Sequence, residues 1–220
     1  MFIGHYGAGL ALKRFAPNTS LGTLLLAALW LDIIWPVFIL LGIERVTITP
    51  GATRVTPLVF EYYPFTHSLL ATVFWAVSLF VICRLLKGRF YTALALGAGV
   101  LSHWLLDAIV HKPDLPIGIS NASFAGMGLW NHPWATALVE GLIFAVGLSL
   151  YLGTTRPINA IGRYGIWAFA GVLVIIYAVQ FAGSVPPNAT VVAYVGLAQA
   201  LLIIFGGWAD RGRRPGIRGS

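Results

Sequence analysis

The chain has 220 residues, 58% of them hydrophobic and only 10% charged, with a mean hydropathy of +0.84. A soluble domain carries about 25% charged residues, so this composition excludes a soluble fold and predicts an all-α polytopic membrane protein. The formal charge of +7 does not mark a nucleic-acid binder, because the basic residues flank apolar runs and do not interleave with stacking aromatics.

Residues 1–16 are too short to cross a bilayer and predict an interfacial or re-entrant helix. Asn18-Thr19-Ser20 then offers a helix cap. Six apolar runs follow, near 20–43, 66–86, 91–111, 134–153, 163–183 and 188–208, each of about the 20 residues that a spanning helix needs. Lys13 and Arg14 precede the first run. Arg84, Lys87 and Arg89 lie between the second and third, and Arg156 and Arg163 between the fourth and fifth. Arg211, Arg213, Arg214 and Arg218 follow the sixth. Arg45, Arg54 and Lys112 fall on the opposite side. This bias predicts a multi-pass protein of the inner (plasma) membrane with both termini cytoplasmic. The expected organisation is one integral domain over 1–220. Residues 1–153 carry the candidate site, and 154–220 supply two acid-free scaffolding helices and a basic tail. The long outer connections, 44–65 and 112–133, read as a cap of irregular or short-stranded structure. Cys83 is the single cysteine, which excludes an internal disulfide and a thiolate metal cluster.

The chemistry concentrates in Ser102-His103-Trp104-Leu105-Leu106-Asp107-Ala108-Ile109-Val110-His111. His103, Asp107 and His111 recur at i, i+4, i+8 and stack along one helix face. Two imidazoles and a carboxylate on one stripe suit a divalent metal or a proton relay, and ionisable groups in a membrane mark function. By helical rise, Asp32 and His103 each lie roughly 18 Å from the cytoplasmic end of their helix, near mid-membrane. His67 starts the second run at the outer boundary, and Glu140 lies about 9 Å below the outer edge of the fourth. These groups predict one polar cavity open to the outside. Pro36 removes the helical donor to the carbonyl of residue 32 and predicts a kink there. Gln180 and Gln199 are placed to bond each other between the last two helices.

Thr66-His67-Ser68-Leu69-Leu70 followed by Leu101-Ser102-His103-Trp104-Leu105-Leu106-Asp107 resembles the T-H-S-L-L and S-H-x-x-x-D signatures of a family of bacterial inner-membrane proteins labelled metal-dependent hydrolases, the DUF457-like group. Gly4-His5 and Leu31-Asp32 resemble the same pattern, and the likeness covers about the first half of the chain. Where that pattern has Asp-x-Asp-His, this chain has Asp32-Ile33-Ile34-Trp35, so one acid and one ligand of a two-metal centre are missing. The resemblance implies a metal-dependent hydrolase. His5 joins the candidate ligands through it, although the topology places His5 on the cytoplasmic side, away from His67, unless the first segment is re-entrant.

The expected metal ligands are therefore His67, His103, Asp107, His5 and His111, with zinc the most suitable ion for imidazole and carboxylate. Asp32 and Glu140 are the candidate catalytic carboxylates. The expected substrate is an amphipathic or lipid-linked ester or phosphoester reached from the bilayer surface. A proton-coupled transporter, a haem-binding bundle and a scaffold without chemistry are the competing readings.

Overall fold

The computed structural model describes residues 1–120, 122–182 and 185–216, so Arg218 lies outside the described residues. The fold is mostly helical, at 67%. Helix α1 (Ile3–Ala11) is followed by a single 3-10 turn, then by α2 (Leu21–Ala28) and α3 (Trp30–Leu40). An antiparallel hairpin of β1 (Arg45–Ile48) and β2 (Leu58–Tyr62) leads into the one-turn α4 (Pro64–His67), α5 (Leu69–Leu85) and α6 (Phe90–Val110). A minimal ladder of β3 (Leu115–Pro116) and β4 (Phe124–Ala125) precedes α7 (Pro133–Thr154). Strand β5 (Thr155–Pro157), α8 (Ala160–Ala182), α9 (Ala189–Arg211) and β6 (Arg213–Pro215) complete the chain, with β5 paired to β6.

Among the described residues, α6, α7, α8 and α9 are long and apolar enough to cross a membrane, and α2 with α3 makes a fifth span if the bent pair is counted as one. The protein is thus a multi-pass membrane protein. The expected second span is shorter than read. Ser68 takes an extended conformation and its side chain accepts from Ala71 N–H, starting α5 afresh after α4. The resulting 17 residues reach about 25 Å at helical rise, short of a hydrocarbon core of about 30 Å.

The first span also differs from expectation. Ser20 caps α2 by accepting from Thr23 N–H at 3.1 Å, but the bend does not lie at Pro36. It lies at Leu29, where α2 and α3 meet at 57°. Pro36 stays inside α3 and packs on α9, where a Cβ at Gly196 would come within 2.6 Å of its ring.

Helix α1 packs within the bundle and not on its surface. Ile3, His5, Tyr6 and Leu10 are buried, and the helix sits inside the bundle between α7 and α2. Glycines make the seat. A Cβ at Gly7 would stand 2.7 Å from the Ile143 carbonyl oxygen, and one at Gly9 would stand 2.8 Å from Leu25. Small residues let backbones approach this closely, which is how helices pack where lipid removes the hydrophobic drive. The core around α1 joins Ile3, Tyr6 and Leu10 to Leu21, Leu25, Phe144 and Phe169.

The last two helices do contain an acid. Asp210 falls within α9 and is buried. It accepts from Lys13 Nζ at 2.6 Å, Tyr151 OH at 2.7 Å and Leu21 N–H at 2.8 Å. The expected glutamine pair is replaced. Gln180 is exposed, and Gln199 accepts from Tyr6 OH at 3.4 Å.

Candidate metal centre

Helix α6 supplies His103 and Asp107 one turn apart, both buried, with His103 Nε2 3.2 Å from Asp107 Oδ2. Helix α3 brings Asp32, whose Oδ1 is 3.5 Å from His103 Nε2 and 3.6 Å from His67 Nε2. His67, at the end of α4, is 3.9 Å from Asp107 Oδ2. Two ligands on one tetrahedral ion at about 2.1 Å stand about 3.4 Å apart, and these four separations bracket that value. The groups form two overlapping triads, Asp32–His67–His103 and His5–His103–Asp107, each with its ligand atoms within 4.8 Å of one another.

The donors behind the imidazoles decide what faces the centre. The break at Leu29 turns the Ala28 carbonyl toward α6, where it accepts from His103 Nδ1–H at 2.8 Å. With that proton committed, Nε2 is the ring atom that stands between two carboxylate oxygens. It is one of four buried side-chain polar atoms without a hydrogen bond among the described residues. Two anionic oxygens at 3.2 and 3.5 Å call for positive charge at this point, which a second ring proton or a metal ion supplies. The residues present therefore fit a metal ion.

His5 belongs to this cluster, against the placement expected from topology. Its ring stacks on His103 with centroids 3.7 Å apart, and its Nε2 is 3.1 Å from Asp107 Oδ1. The buried α1 explains the difference, because it carries His5 in among helices that basic-residue counting places on the far side. The Met1 ammonium also contacts Asp107 Oδ1, at 2.5 Å.

Two expected residues stand apart. Glu140 is buried, but its Oε2 accepts from the backbone N–H groups of Phe2 at 2.9 Å and Gly4 at 3.3 Å, so it caps the entry to α1. His111 does not extend the stripe, because α6 ends at Val110 and His111 is extended. Its Nδ1 is 3.1 Å from Asp114 Oδ1, and its ring packs against Phe60 and Trp130. Burial lowers the affinity of His111 for a proton, against the pull of Asp114. The neighbouring Tyr63 phenol is held well above its usual range by burial and by Asp114, and donates to the Asp114 carbonyl at 3.0 Å.

Trp35 occupies the position where the resembled pattern has a histidine. It is buried, and its ring meets His67 edge-on at 6.1 Å and Phe60 at 5.5 Å. It walls the centre and offers no ligand.

Sequence reasoning missed Glu44. It lies in the connection between α3 and β1, is 1% exposed, and accepts from Phe65 N–H at 2.8 Å, Thr66 N–H at 2.9 Å and Thr66 Oγ1–H at 2.6 Å. Burial pushes its carboxyl up, and these three donors pull it back. The one available signal was a threonine directly before His67.

Fold and site together define a multi-pass membrane protein with a buried histidine–aspartate cluster able to hold a metal ion. Comparison with protein-family models, with curated proteins and with solved structures finds no match.

Proposed function

We propose that the protein is a membrane-embedded metal-dependent hydrolase acting on an amphipathic or lipid-linked ester or phosphoester at the outer membrane face. The observation that carries this is His103 Nε2, oriented through Ala28 and directed between Asp32 and Asp107 within ligand distance of a shared ion. Asp32, His67 and His103 hold the ion in this reading, the two-histidine-one-carboxylate set that leaves coordination positions open. A divalent cation supplies Lewis acidity toward the substrate oxygen and lowers the pKa of water. Asp107, steadied through Oδ1 by His5 and Met1, presents Oδ2 as the proton acceptor. The order and spacing of Thr66-His67 and His103–Asp107, like those of the resembled hydrolase family, support the same assignment.

Two features support the substrate class. Asp32 is 21% exposed while the other ligand side chains are 6% exposed or less, so access is on its side. A groove of about 520 Å³ lies between α3 and α5, walled by Phe38, Ile43, Phe65, Leu70, Phe74 and Trp75. Phe65 is two residues from His67 in the chain, so the segment that supplies this ligand also supplies a wall of the apolar groove. The apolar core from Tyr6 to Tyr151 fills the bundle toward Lys13 and Asp210, which favours hydrolysis over transport.

Elemental analysis of the purified protein tests the reading. We expect one divalent ion per chain, lost in His103→Ala and Asp32→Asn, together with hydrolysis of a lipid ester or phosphoester that a chelator abolishes. Metal-free protein with intact fold and intact activity would overturn it.

A further inference from the structure

Glu44 and Thr66 lie outside the ligand set, yet a buried chain of hydrogen bonds runs from one through the other to His67. The turn after α3 uses Gly42 at φ +70°, a left-handed conformation that glycine adopts freely. Glu44 N–H then bonds the Phe38 carbonyl at 3.2 Å, anchoring the residue at the mouth of α4. Pro64 has no N–H, so the free donors of that turn are Phe65 and Thr66, and both go to Glu44 Oε1. Oε2 takes the Thr66 hydroxyl proton at 2.6 Å. A hydroxyl has one proton and two lone pairs. Having donated to Glu44, Thr66 Oγ1 can only accept from His67 Nδ1, which stands 2.8 Å away.

We propose that Glu44, acting through Thr66, is a positioning residue that holds His67 in the Nδ1–H form and so presents its Nε2 as a bare ligand toward Asp32. This rests on the metal-centre reading above and extends it. A histidine ligand is oriented by the partner of its other nitrogen, and loss of such a partner typically lowers metal affinity 10–100-fold. The arrangement repeats at His67 what the Ala28 carbonyl does at His103, with a side-chain relay in place of a backbone oxygen. It also gives the outer connection a task, because the segment that carries the β1–β2 hairpin delivers Glu44 at one end and Thr66 at the other.

Glu44→Gln separates this role from simple capping. The amide oxygen keeps accepting from Phe65 and Thr66 N–H, but the amide nitrogen donates to Thr66 Oγ1. The hydroxyl proton then turns to His67 Nδ1 and moves the imidazole proton to Nε2. The test is long-range ¹H–¹⁵N correlation on full-length, histidine-labelled protein in micelles, stripped of metal, with His67 assigned by His67→Asn. Zinc affinity is measured on the same samples. Wild type and Thr66→Ser are expected to show Nδ1–H. Glu44→Gln is expected to show Nε2–H, and Thr66→Val a mixture, both with zinc affinity 10–100-fold lower. Wild-type His67 protonated at Nε2, or Glu44→Gln keeping Nδ1–H and full zinc affinity, would overturn the proposal. Should Glu44→Gln not fold, the wild-type and Thr66→Val spectra decide. Wild type with Nδ1–H but no affinity for any divalent ion would remove the metal-centre reading and leave the Glu44 relay standing.

Discussion

The Ala28 carbonyl and His103 Nδ1 meet at 2.8 Å across 75 residues of sequence. That contact joins two features that look unrelated in the chain, the bend at Leu29 and the orientation of a candidate ligand. The broken helix exposes a carbonyl that needs a donor, and the imidazole supplies one where lipid supplies none.

His103→Leu, which has no hydrogen-bond donor, should therefore do two things. It removes a ligand, so the ion is lost. It also leaves the Ala28 carbonyl without its donor, a penalty of about 1–3 kcal/mol for a buried group. Thermal unfolding of metal-free protein in detergent isolates the second effect. A metal-free variant as stable as metal-free wild type would contradict the pairing.

Glu140 and Asp107 should separate cleanly in kinetics. Glu140 caps α1 through Oε2, and an amide oxygen can do the same, so Glu140→Gln should keep hydrolysis within about tenfold of wild type. Asp107→Asn should lose about 10²–10⁴-fold, the usual contribution of a proton-transferring group. Measured rates in the reverse order would reassign the base to Glu140.

Gly7→Ala should loosen α1. Its methyl would fall 2.7 Å from the Ile143 carbonyl oxygen, and overpacking of this kind costs about 1–3 kcal/mol. Since α1 carries His5 against His103, zinc affinity should fall with stability. Gly141→Ala on α7, where a Cβ meets nothing within 4 Å, should be neutral or stabilising, by up to about 1 kcal/mol of helix propensity. Equal effects at the two positions would contradict the close seat.

Lys13→Met should be more harmful than Lys13→Met combined with Asp210→Asn. The single change strands a buried carboxylate, a loss of about 3–5 kcal/mol, whereas the double change leaves a neutral amide whose oxygen accepts from Leu21 N–H while its NH2 donates to the Tyr151 hydroxyl oxygen. Folded fractions of both variants should retain the ion, because Lys13 and Asp210 belong to the basic end of the bundle.

How much of this could be read in the sequence depends on how local each signal is. His103 and Asp107 are one turn apart on one helix, so their shared face follows from spacing alone. Asp32 and His67 could be matched to them by depth. His5 could not, because charge bias describes spanning helices, and α1 is a nine-residue helix that enters between them on its glycines. The i+8 place of His111 assumed a helix one residue longer than α6. Pro36 was the visible helix breaker, but the break that matters is held open by a tertiary hydrogen bond to Leu29's neighbour Ala28. Glu44 acts only once the hairpin has folded back over α4, and no local pattern encodes that return.

The glycine seat bears on how the protein matures during translation. Helix α1 emerges from the ribosome well before α7, since Ile143 and Gly147, against which Gly7 rests, follow more than 130 residues later. Until α7 is threaded into the bilayer, the opening segment has nowhere to lodge and His5 cannot reach His103. Completion of the centre is therefore a late event in biogenesis, and nascent chains arrested before α7 should carry an α1 segment still open to proteases.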